Sequence, residues 1–567
     1  MTDSNKTILT ADIGGTWLKL ARFEGDEKLP SAVRRIANPC RYDSNSNLGD
    51  TLKQGLAELL NGKSPVGIGI STAGVVDYAG TRVTAGHMYL ESLKSPDFLA
   101  DIRQTFGGLT VLINDADAAL IGAAQAGYFQ GAACHGLLAI GTGCGFALWK
   151  NGRRWRPDRQ LPLLGSLRTV AGSYDELCSA SALATRTADG SLNAVFTQAL
   201  SRPLLDAYLD HLARLCDNAA LIYHCESVLL AGGLAAAALE SNFDLAAALT
   251  PRLMAATDYH RPPLIRVASE GNDLPLDGVR LLITAEAAVA HARQPPVFNQ
   301  LPTEAVADPD LRLERCSARE LISHCLRNEN AVAQNWNRQL DALAECALRL
   351  SESIRAGGRL VYLGCGTSGR LAALDALELN CTFGLPKHQA VALISGGVAE
   401  AAVSMEEDFE EDASAVPELL LLNPGPCDVV IGISASGSAW FVRSGLACAR
   451  NRGAFSVLIS ANPPEDEFCD LHLGLDTGAE LVTGSTRMKA GTATKKIINA
   501  ITTSAMILCG KVAGSDMIDV ACLNDKLIDR ACGILHRLHA LPRSEALALL
   551  RQHDMKLSDA LQSRRCP

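Results

Sequence analysis

The sequence lacks the features of a protein that is exported, crosses a membrane or binds nucleic acid. Residues 1–6 contain no apolar signal segment, and no uninterrupted apolar run is long enough to span a bilayer. Neither a basic run nor an alternation of basic with aromatic residues occurs, and the formal net charge is -10. This charge argues against nucleic acid or an acidic membrane as a partner. We therefore expect a cytoplasmic protein.

Cysteine is abundant but has no metal-binding pattern. The 18 cysteines are scattered, with no Cys-x-x-Cys pair and no Cys/His cluster at zinc spacing, so we expect no structural metal. They are typical of small buried apolar residues in a reducing compartment. No internal repeat or low-complexity segment is present, and a length of 567 residues predicts two or more domains.

Residues 357–370 hold the motif around which the second half of the chain is organised. An apolar run at 360–363 predicts a buried strand, a turn rich in Gly, Thr and Ser follows, and 371–378 have helical spacing. This geometry presents backbone N–H groups and the hydroxyls of Thr367 and Ser368 to an anion. Its spacing is that of neither a Gly-rich dinucleotide loop nor a P-loop.

Two further turns of this kind follow predicted strands. One contains Ser434 and Ser436, and the other, at 481–495, contains Thr483, Ser485, Thr486 and Lys489. In a parallel α/β unit, all three turns converge at the carboxyl ends of the strands. Such a site suits a sugar phosphate, with Arg487 or Lys489 supplying charge. The alternative is three helix N-caps and two surface cations.

Segments 364–370, 434–437, 483–495 and 510–531 resemble the sugar-isomerase (SIS) domain of N-acetylmuramic acid 6-phosphate etherases, over about 303–534. The resemblance implies a lyase that needs no cofactor, binds amino-sugar 6-phosphates through the hydroxyl-rich turns, and forms a homodimer. Etherases usually have Arg-Thr-Pro after the Ser-Gly turn, where this chain has Ser438, Ala439 and Trp440. This departure affects the grip on phosphate.

Cleavage of a lactyl ether requires one group to remove the proton on carbon 2 and another to protonate the departing oxygen, and paired carboxyl groups suit both tasks. Glu378 lies where etherases keep one such Glu, and the flanking Leu377 and Leu379 predict a half-buried helix face. We place the second acid at Glu407, with Glu410 as the alternative. A solvated helix face is the competing interpretation of this acidic run.

The first half of the chain contains two predicted β-hairpins with Gly/Thr tips. One has Asp12 before the tip Gly14-Gly15-Thr16, and the other has the tip Gly141-Thr142-Gly143. Such a tip can approach a phosphate closely, and the preceding Asp can hold Mg²⁺ through water. Between them, a strand at 110–113 leads to Asn114 and Asp115, and a late strand meets Gly232-Gly233.

This arrangement resembles the sugar-kinase/Hsp70/actin superfamily, and most closely the ROK and glucokinase-like hexose kinases, over about 6–292. The resemblance implies ATP and Mg²⁺ as cofactors. It places Asp12, as metal ligand, and residues 14–16 near phosphate, residues 141–143 on the nucleotide phosphates, Gly232 and Gly233 near adenosine, and Asn114 and Asp115 at the sugar.

Asp115 is our candidate for the base that accepts the hydroxyl proton. Its alternative role is to cap the following helix, and Asp117, the second candidate, is expected to be an exposed first-turn acid. ROK proteins usually have a zinc loop and a sugar-binding Glu and His, which are missing at 163–179. Asp175 or Glu176 can replace the second sugar-binding acid.

The predicted fold class is α/β, with an actin/Hsp70-like two-lobed kinase fold and a SIS-type parallel-sheet sandwich. We predict a kinase domain at 1–293, a Pro-rich linker at 294–302, an etherase domain at 303–535 and a short helical tail at 536–567. The first hypothesis is a bifunctional enzyme that phosphorylates an N-acetylhexosamine, either N-acetylmuramic acid or N-acetylglucosamine, and cleaves N-acetylmuramic acid 6-phosphate. The alternative hypothesis is a regulator that senses sugar phosphates.

Overall fold

The computed structural model describes most of the chain. The described residues are 7–25, 27–41, 47–77, 80–86, 88–95, 97–129, 134–150, 153–155, 164–186, 192–197, 202–257, 260–293, 298–330, 336–397, 414–464, 466–519, 522 and 524–563. They form two compact units, which we call unit 1 and unit 2. Unit 1 comprises Met1–Ala290 and Val416–Asn423, and unit 2 comprises His291–Ala415 and Pro424–Pro567.

Unit 1 is built on two five-stranded sheets with small additional strands. Its strands are β1 Thr7–Ile13, β2 Trp17–Glu24, β3 Glu27–Ala37, β4 Gly67–Thr72, β5 Val75–Val76, β6 Val83–Ala85, β7 Leu109–Asn114, β8 Cys134–Ile140, β9 Cys144–Lys150, β10 Arg153–Trp155, β11 Arg168–Thr169, β12 Gly172–Ser173, β13 Ser227–Ala231 and β14 Leu264–Val267. Its α-helices are α1 Leu48–Leu60, α2 Asp97–Phe106, α3 Asp115–Gln125, α4 Tyr174–Cys178, α5 Ala180–Ala184, α6 Leu192–Thr197, α7 Arg202–Tyr223, α8 Gly233–Glu240, α9 Leu245–Leu249, α10 Leu274–Val289 and, from a later part of the chain, α14 Val416–Leu422.

The two large sheets of unit 1 have the same topology. Their strand orders are β3-β2-β1-β4-β7 and β10-β9-β8-β13-β14. In each, an antiparallel hairpin supplies the central strand, which pairs in parallel with a strand from later in the chain. The later strands that pair in parallel with the central strands are β4 with β1 and β13 with β8. This duplication confirms the predicted two-lobed fold, and both predicted hairpins form with their Gly/Thr tips at 14–16 and 141–143.

The helix that begins with Asp115 is held by an unusually close approach to α10. A Cβ atom at Gly278 would clash with the carbonyl oxygen of Ala118, and one at Gly122 would lie 2.6 Å from the carbonyl oxygen of Leu274. Only glycine permits the two backbones to pack at this distance. The position of α3 therefore depends on these two glycines.

Unit 2 is built on one parallel sheet. Its strands are β15 Leu360–Gly364, β16 Ala390–Ile394, β17 Val429–Ile433, β18 Phe455–Ser460 and β19 Leu471–Gly474, with a small hairpin of β20 Val512–Ala513 and β21 Asp516–Met517. Its α-helices are α11 Ala318–Asn330, α12 Leu340–Arg355, α13 Gly366–Phe383, α15 Trp440–Asn451, α16 Lys489–Leu508, α17 Asp525–His539, α18 Arg543–Gln552 and α19 Leu557–Gln562.

Helices cover both faces of the unit 2 sheet. Successive strand residues point to opposite faces, and the strands are mostly apolar, so both faces have to be buried. Tyr362 and Ile431 point into a core shared with α12, α13 and α16. Gly432, which points the other way, lies under Val442 and Leu446 of α15. This arrangement is the α/β sandwich predicted from the sequence.

Short-range contacts organise the two ends of this region. Ser317 and Glu320 form a capping box at the start of α11, since the Glu320 carboxylate accepts from the Ser317 N–H at 2.7 Å and the Ser317 hydroxyl accepts from the Glu320 N–H at 3.4 Å. The tail helices α18 and α19 share a small apolar core with α17. Among the described residues, we find no helix that is both long and apolar enough to cross a membrane.

Candidate active sites

The two hairpin tips of unit 1 lie together. The hydroxyl oxygens of Thr16 and Thr142 are 3.3 Å apart, although the two residues belong to different sheets. The turns stay narrow because Gly14 N–H donates to Trp17 O at 3.0 Å and Gly141 N–H donates to Gly143 O at 2.9 Å. Both turns predicted to bind phosphate thus meet at one place.

Two half-buried carboxyl groups lie near the first tip. Asp12 is opposite Ser71 in the register of β1 and β4, and the Ser71 hydroxyl donates to Asp12 Oδ1 at 2.8 Å. Asp115 starts α3 where β7 ends. Burial raises the pKa of Asp12, while the Ser71 bond and the Lys19 charge oppose the change. Burial and the Asp12 charge raise the pKa of Asp115 to about 6.

Asn114 caps α3, so Asp115 is not the cap. The Asn114 side-chain oxygen accepts from the N–H groups of Ala116 at 3.0 Å and Asp117 at 3.2 Å, and its amide nitrogen donates to Gly74 O at 2.8 Å. These bonds occupy most of the Asn114 amide and leave one N–H for a ligand. Its contact with a sugar stays a prediction.

The expectation that Asp117 is an exposed surface acid is wrong. The residue is buried, and its Oδ2 accepts from Arg154 Nη1 at 3.2 Å. Arg154 also donates to Glu418 Oε1 at 2.6 Å. A charged side chain can be buried where it is paired with an opposite charge. Because Arg154 is distant in the sequence from both partners, the pairing could not be predicted from the residues around Asp117.

Asp175 lies against the second hairpin tip. Its Oδ1 accepts from the Cys144 N–H at 2.7 Å and would be 3.2 Å from a Cβ atom at Gly143. Its neighbour Glu176 completes a capping box with Ser173 at the start of α4. The structure therefore brings Asp175 to residues 141–143, while Glu176 has a role in the helix cap.

The Gly232-Gly233 turn approaches the same hairpin. Gly232 has φ of +87°, and a Cβ atom there would lie 2.8 Å from the carbonyl oxygen of Ile140, the residue before the tip. The turn therefore requires glycine both for its backbone conformation and for this contact. A role in binding adenosine stays a prediction.

In unit 2, the strand order creates a crevice beside the first two hydroxyl-rich turns. The order is β16-β15-β17-β18-β19, so the chain leaves β15 in one direction and returns to its other side as β17. Ligands bind at such reversal points in open parallel sheets. Gly364 at the end of β15 is opposite Ile433 at the end of β17, which places Thr367 and Ser436 on neighbouring turns.

The third hydroxyl-rich segment, at 481–495, lies close to the first, which contains Thr367. The methyl carbon of Thr367 would be 4.0 Å from a Cβ atom at Gly491, in the first turn of α16. Upstream, Gly484 N–H donates to Thr303 O at 3.2 Å. Thr367 and Thr483 are exposed, so their hydroxyls are accessible to a ligand.

The helices that follow the first and third turns, α13 and α16, differ in which groups accept hydrogen bonds from their first backbone N–H groups. The Cys365 N-cap of α13 makes no side-chain cap bond, which leaves first-turn N–H groups for an anion. By contrast, buried Glu480 accepts from Lys489 N–H at 3.0 Å and Ala490 N–H at 2.9 Å at the start of α16. Of the two, α13 therefore presents the better anion site.

The remaining hydroxyls and Lys489 make bonds within the protein. Ser434 Oγ accepts from Gly437 N–H at 3.1 Å, and Ser438 Oγ donates to Ser436 Oγ at 2.8 Å. Lys489 is buried, and its ammonium group donates to Thr477 O at 2.8 Å. Ser368, Ser485 and Thr486 are half-buried. Their roles in binding substrate stay predictions.

Glu378 lies in the middle of α13 and pairs with a lysine that the sequence analysis did not select. Its side chain is 54% exposed, and Lys495 Nζ lies 3.0 Å from Glu378 Oε2 and 3.7 Å from Asp375 Oδ1. The expected half-buried face holds on one side only, since Leu379 is buried and Leu377 is 70% exposed. Lys495 ends the 483–495 motif, which was a signal that could have identified it.

The second predicted acid, Glu407, and its alternative, Glu410, lie outside the described residues, which omit 398–413.

Comparison with known families assigns each half of the chain. Residues 342–450 match the glucokinase regulatory protein N-terminal SIS domain, and residues 8–159 match the ROK family. A solved ROK family glucokinase from Streptomyces griseus, in complex with glucose and AMPPNP, is 19% identical with a TM-score of 0.41, covering 48% of this chain and 98% of that chain.

Curated relatives match the second half. The N-acetylmuramic acid 6-phosphate etherase of Rhodopirellula baltica is 37% identical over 270 residues, covering 47% of this chain and 88% of that protein. The etherase of Gloeobacter violaceus is 38% identical over 268 residues, with the same coverage. The chain therefore belongs to the N-acetylmuramic acid 6-phosphate etherase family, and it carries a ROK family domain in front of the etherase region.

Proposed function

We propose that unit 2 cleaves N-acetylmuramic acid 6-phosphate to N-acetylglucosamine 6-phosphate and D-lactate. The observation that carries this proposal is the meeting of hydroxyl-rich turns at the β15/β17 crevice, in front of an α13 N-terminus that lacks a side-chain cap. Backbone N–H groups and hydroxyls in this arrangement suit a dianionic sugar phosphate.

The proposed reaction is an elimination followed by hydration. A carboxylate removes the proton on carbon 2 of the open-chain aldehyde, the bond between carbon 3 and the lactyl oxygen breaks, and an acid protonates that oxygen. Water then adds to carbon 3, so one water is consumed for each lactate released. Glu378 is one of the two proton-transfer groups.

The distance along α13 supports a homodimer with shared active sites. Glu378 follows Gly366 by twelve residues, which corresponds to about 18 Å of helix. This is longer than the separation between the phosphate and carbon 3 of a single hexose 6-phosphate. Leu374 and Leu377, on either side of the same helix stretch, are 45% and 70% exposed. We infer that a second copy covers them and that Glu378 serves the phosphate turn of that copy.

We further propose that unit 1 transfers phosphate from ATP to the 6-hydroxyl of an N-acetylhexosamine. Two adjacent half-buried carboxyl groups, Asp12 and Asp115, with raised pKa values suit a site that receives a cation. Asp12, with residues 14–16, would hold Mg²⁺, which neutralises phosphate charge when bound. Asp115 accepts the hydroxyl proton, and Thr16 and Thr142 bond phosphate oxygens.

The sugar is N-acetylmuramic acid or N-acetylglucosamine. With the first, unit 1 makes the substrate of unit 2, and with the second, both units make the same product. The regulatory alternative is not favoured, because etherases match the chain over most of their length. A cytoplasmic location agrees with the described cysteines, which form no disulfide bond with one another.

Separate variants test the two activities. Glu378→Gln should lower lactate release from N-acetylmuramic acid 6-phosphate by at least about 10²-fold and leave phosphoryl transfer intact, and Asp115→Asn should do the reverse. If Glu378→Gln retains wild-type lactate release, the assignment of Glu378 is wrong. If the wild-type protein releases no lactate, the etherase proposal is wrong.

A further inference from the structure

A line of three charged side chains joins α13 to α16 in unit 2. Asp375 and Glu378 lie one turn apart on the same face of α13, and the ammonium group of Lys495 reaches both from α16. Its Nζ is 3.7 Å from Asp375 Oδ1 and 3.0 Å from Glu378 Oε2. Lys495 thus lies between the two carboxylates and pairs with both.

The inner end of this line is fixed. Asp375 is 3% exposed, and its Oδ2 accepts from the Tyr362 hydroxyl at 2.8 Å, while its Oδ1 lies 3.5 Å from the Thr502 hydroxyl that donates to it. Burial raises the pKa of Asp375, and the Tyr362 bond and the Lys495 charge oppose this effect. A buried carboxylate of this kind requires a cation beside it.

The outer end is accessible to a ligand. The side chains of Asp375, Lys495 and Glu378 are 4%, 24% and 54% exposed, respectively. An exposed ion pair of a long lysine with a glutamate is weak when both side chains move freely. Here the pairing with Asp375 limits the side-chain conformations of Lys495. Its pairing with Glu378 therefore costs less conformational entropy than that of a freely moving lysine.

We propose that Asp375 and Lys495 are positioning residues for the etherase reaction: Asp375 anchors Lys495, and Lys495 fixes the orientation of the Glu378 carboxylate. This inference rests on the proposed etherase function of unit 2. Lys495 does not touch the reacting atoms. It acts by holding one carboxylate oxygen of Glu378 and leaving the other to meet the substrate.

The test measures D-lactate release from N-acetylmuramic acid 6-phosphate by the full chain. We expect Lys495→Met to lower kcat about 100-fold and Asp375→Asn about 10-fold with little change in KM, since acid–base catalysis contributes about 10²–10⁴-fold. Lys495→Arg should recover part of kcat. Lys496→Met is the matched control, because it removes an exposed charge from the next position of α16.

A double variant separates positioning from stability. In the Glu378→Gln background, Lys495→Met should have no further effect on residual turnover. If Lys495→Met fails to fold because Asp375 is left unpaired, the Asp375→Asn/Lys495→Met double variant removes both charges and should show the same loss.

The possible outcomes discriminate between the two proposals. No lactate from wild-type protein overturns the etherase function and this inference with it. Lactate from wild type with unchanged kcat in Lys495→Met overturns only the positioning role. An equal loss in Lys495→Met with and without Glu378 also overturns it, because Lys495 would then act by another route.

Discussion

Thr16 and Thr142 are 126 positions apart in the sequence, and their hydroxyl oxygens lie 3.3 Å apart in the structure. Each belongs to the tip of one of two hairpins with equivalent positions in equivalent sheets. The contact places two Gly/Thr turns where one polyphosphate can meet both.

Replacement of either threonine by alanine should weaken phosphoryl transfer from ATP. A lost hydrogen bond to a charged group costs about 1.5–3 kcal/mol, so kcat/KM for ATP should fall about 10-fold to 100-fold in Thr16→Ala and in Thr142→Ala. Lactate release by the same proteins should not change. Thr105→Ala, at an exposed position of α2, is the control, and equal kinase activity in all three variants would contradict the assignment.

The Asp115 carboxylate should lower the folding stability of unit 1 and be required for phosphoryl transfer. Its pKa is raised to about 6, so folding favours its protonated form, and this contribution is lost as pH rises from about 4 through about 6. Asp115→Asn should therefore stabilise unit 1 above pH 6, by up to about 3 kcal/mol, while phosphoryl transfer falls by at least about 10²-fold.

Thermal unfolding at pH 4.5 and pH 7.5 checks this sign. The variant should exceed wild type at pH 7.5 and approach it at pH 4.5. A variant that is less stable than wild type at pH 7.5 would show that the Asp115 carboxylate is not destabilised in the folded protein.

Gly278 should be required for the stability and activity of unit 1 but not for the activity of unit 2. A Cβ atom there would clash with the carbonyl oxygen of Ala118 in α3, and forced overpacking costs about 1–3 kcal/mol. Gly278→Ala should therefore lower the unfolding midpoint of unit 1 and abolish phosphoryl transfer by displacing Asp115, with lactate release retained.

Gly49→Ala provides the matched substitution for Gly278→Ala. Gly49 also lies in a helix, but its added Cβ would make only ordinary contacts, and alanine is favoured there by up to about 1 kcal/mol. Kinase activity in Gly278→Ala equal to that in Gly49→Ala would contradict the packing argument.

Mixing two inactive variants tests the shared etherase site. Glu378→Gln removes an acid–base group, and Thr367→Glu puts a negative charge at the exposed start of α13, where it repels phosphate. If each site combines Glu378 of one copy with the turn of the other, heterodimers contain one intact site, and an equimolar mixture should regain about a quarter of wild-type lactate release. No recovery in a mixture shown to contain heterodimers would place both groups in one copy.

The sequence was sufficient to predict the elements that depend on local pattern. The hairpin tips and the strand followed by a helix at Gly364 follow from glycine placement and short-range periodicity. These signals are contained within a few residues, and the structure has these elements, although α13 already begins at Gly366, so Thr367 and Ser368 lie in its first turn and not before it.

The missed relationships are long-range pairings of charge. Nothing near Asp117 in the sequence indicates that Arg154 would accompany it into the interior. Lys495 and Glu378 are likewise 117 positions apart. Such pairs form only when two helices or strands pack, so the burial of one member cannot be inferred from its own neighbourhood.

Release of D-lactate by the purified full chain is the most direct test of the proposed function. The measurement compares N-acetylmuramic acid 6-phosphate with free N-acetylmuramic acid, each with and without MgATP. We predict lactate from the phosphorylated sugar in both conditions, and MgATP-dependent lactate from the free sugar would identify it as the substrate of unit 1. The absence of lactate from the phosphorylated sugar would contradict the etherase function.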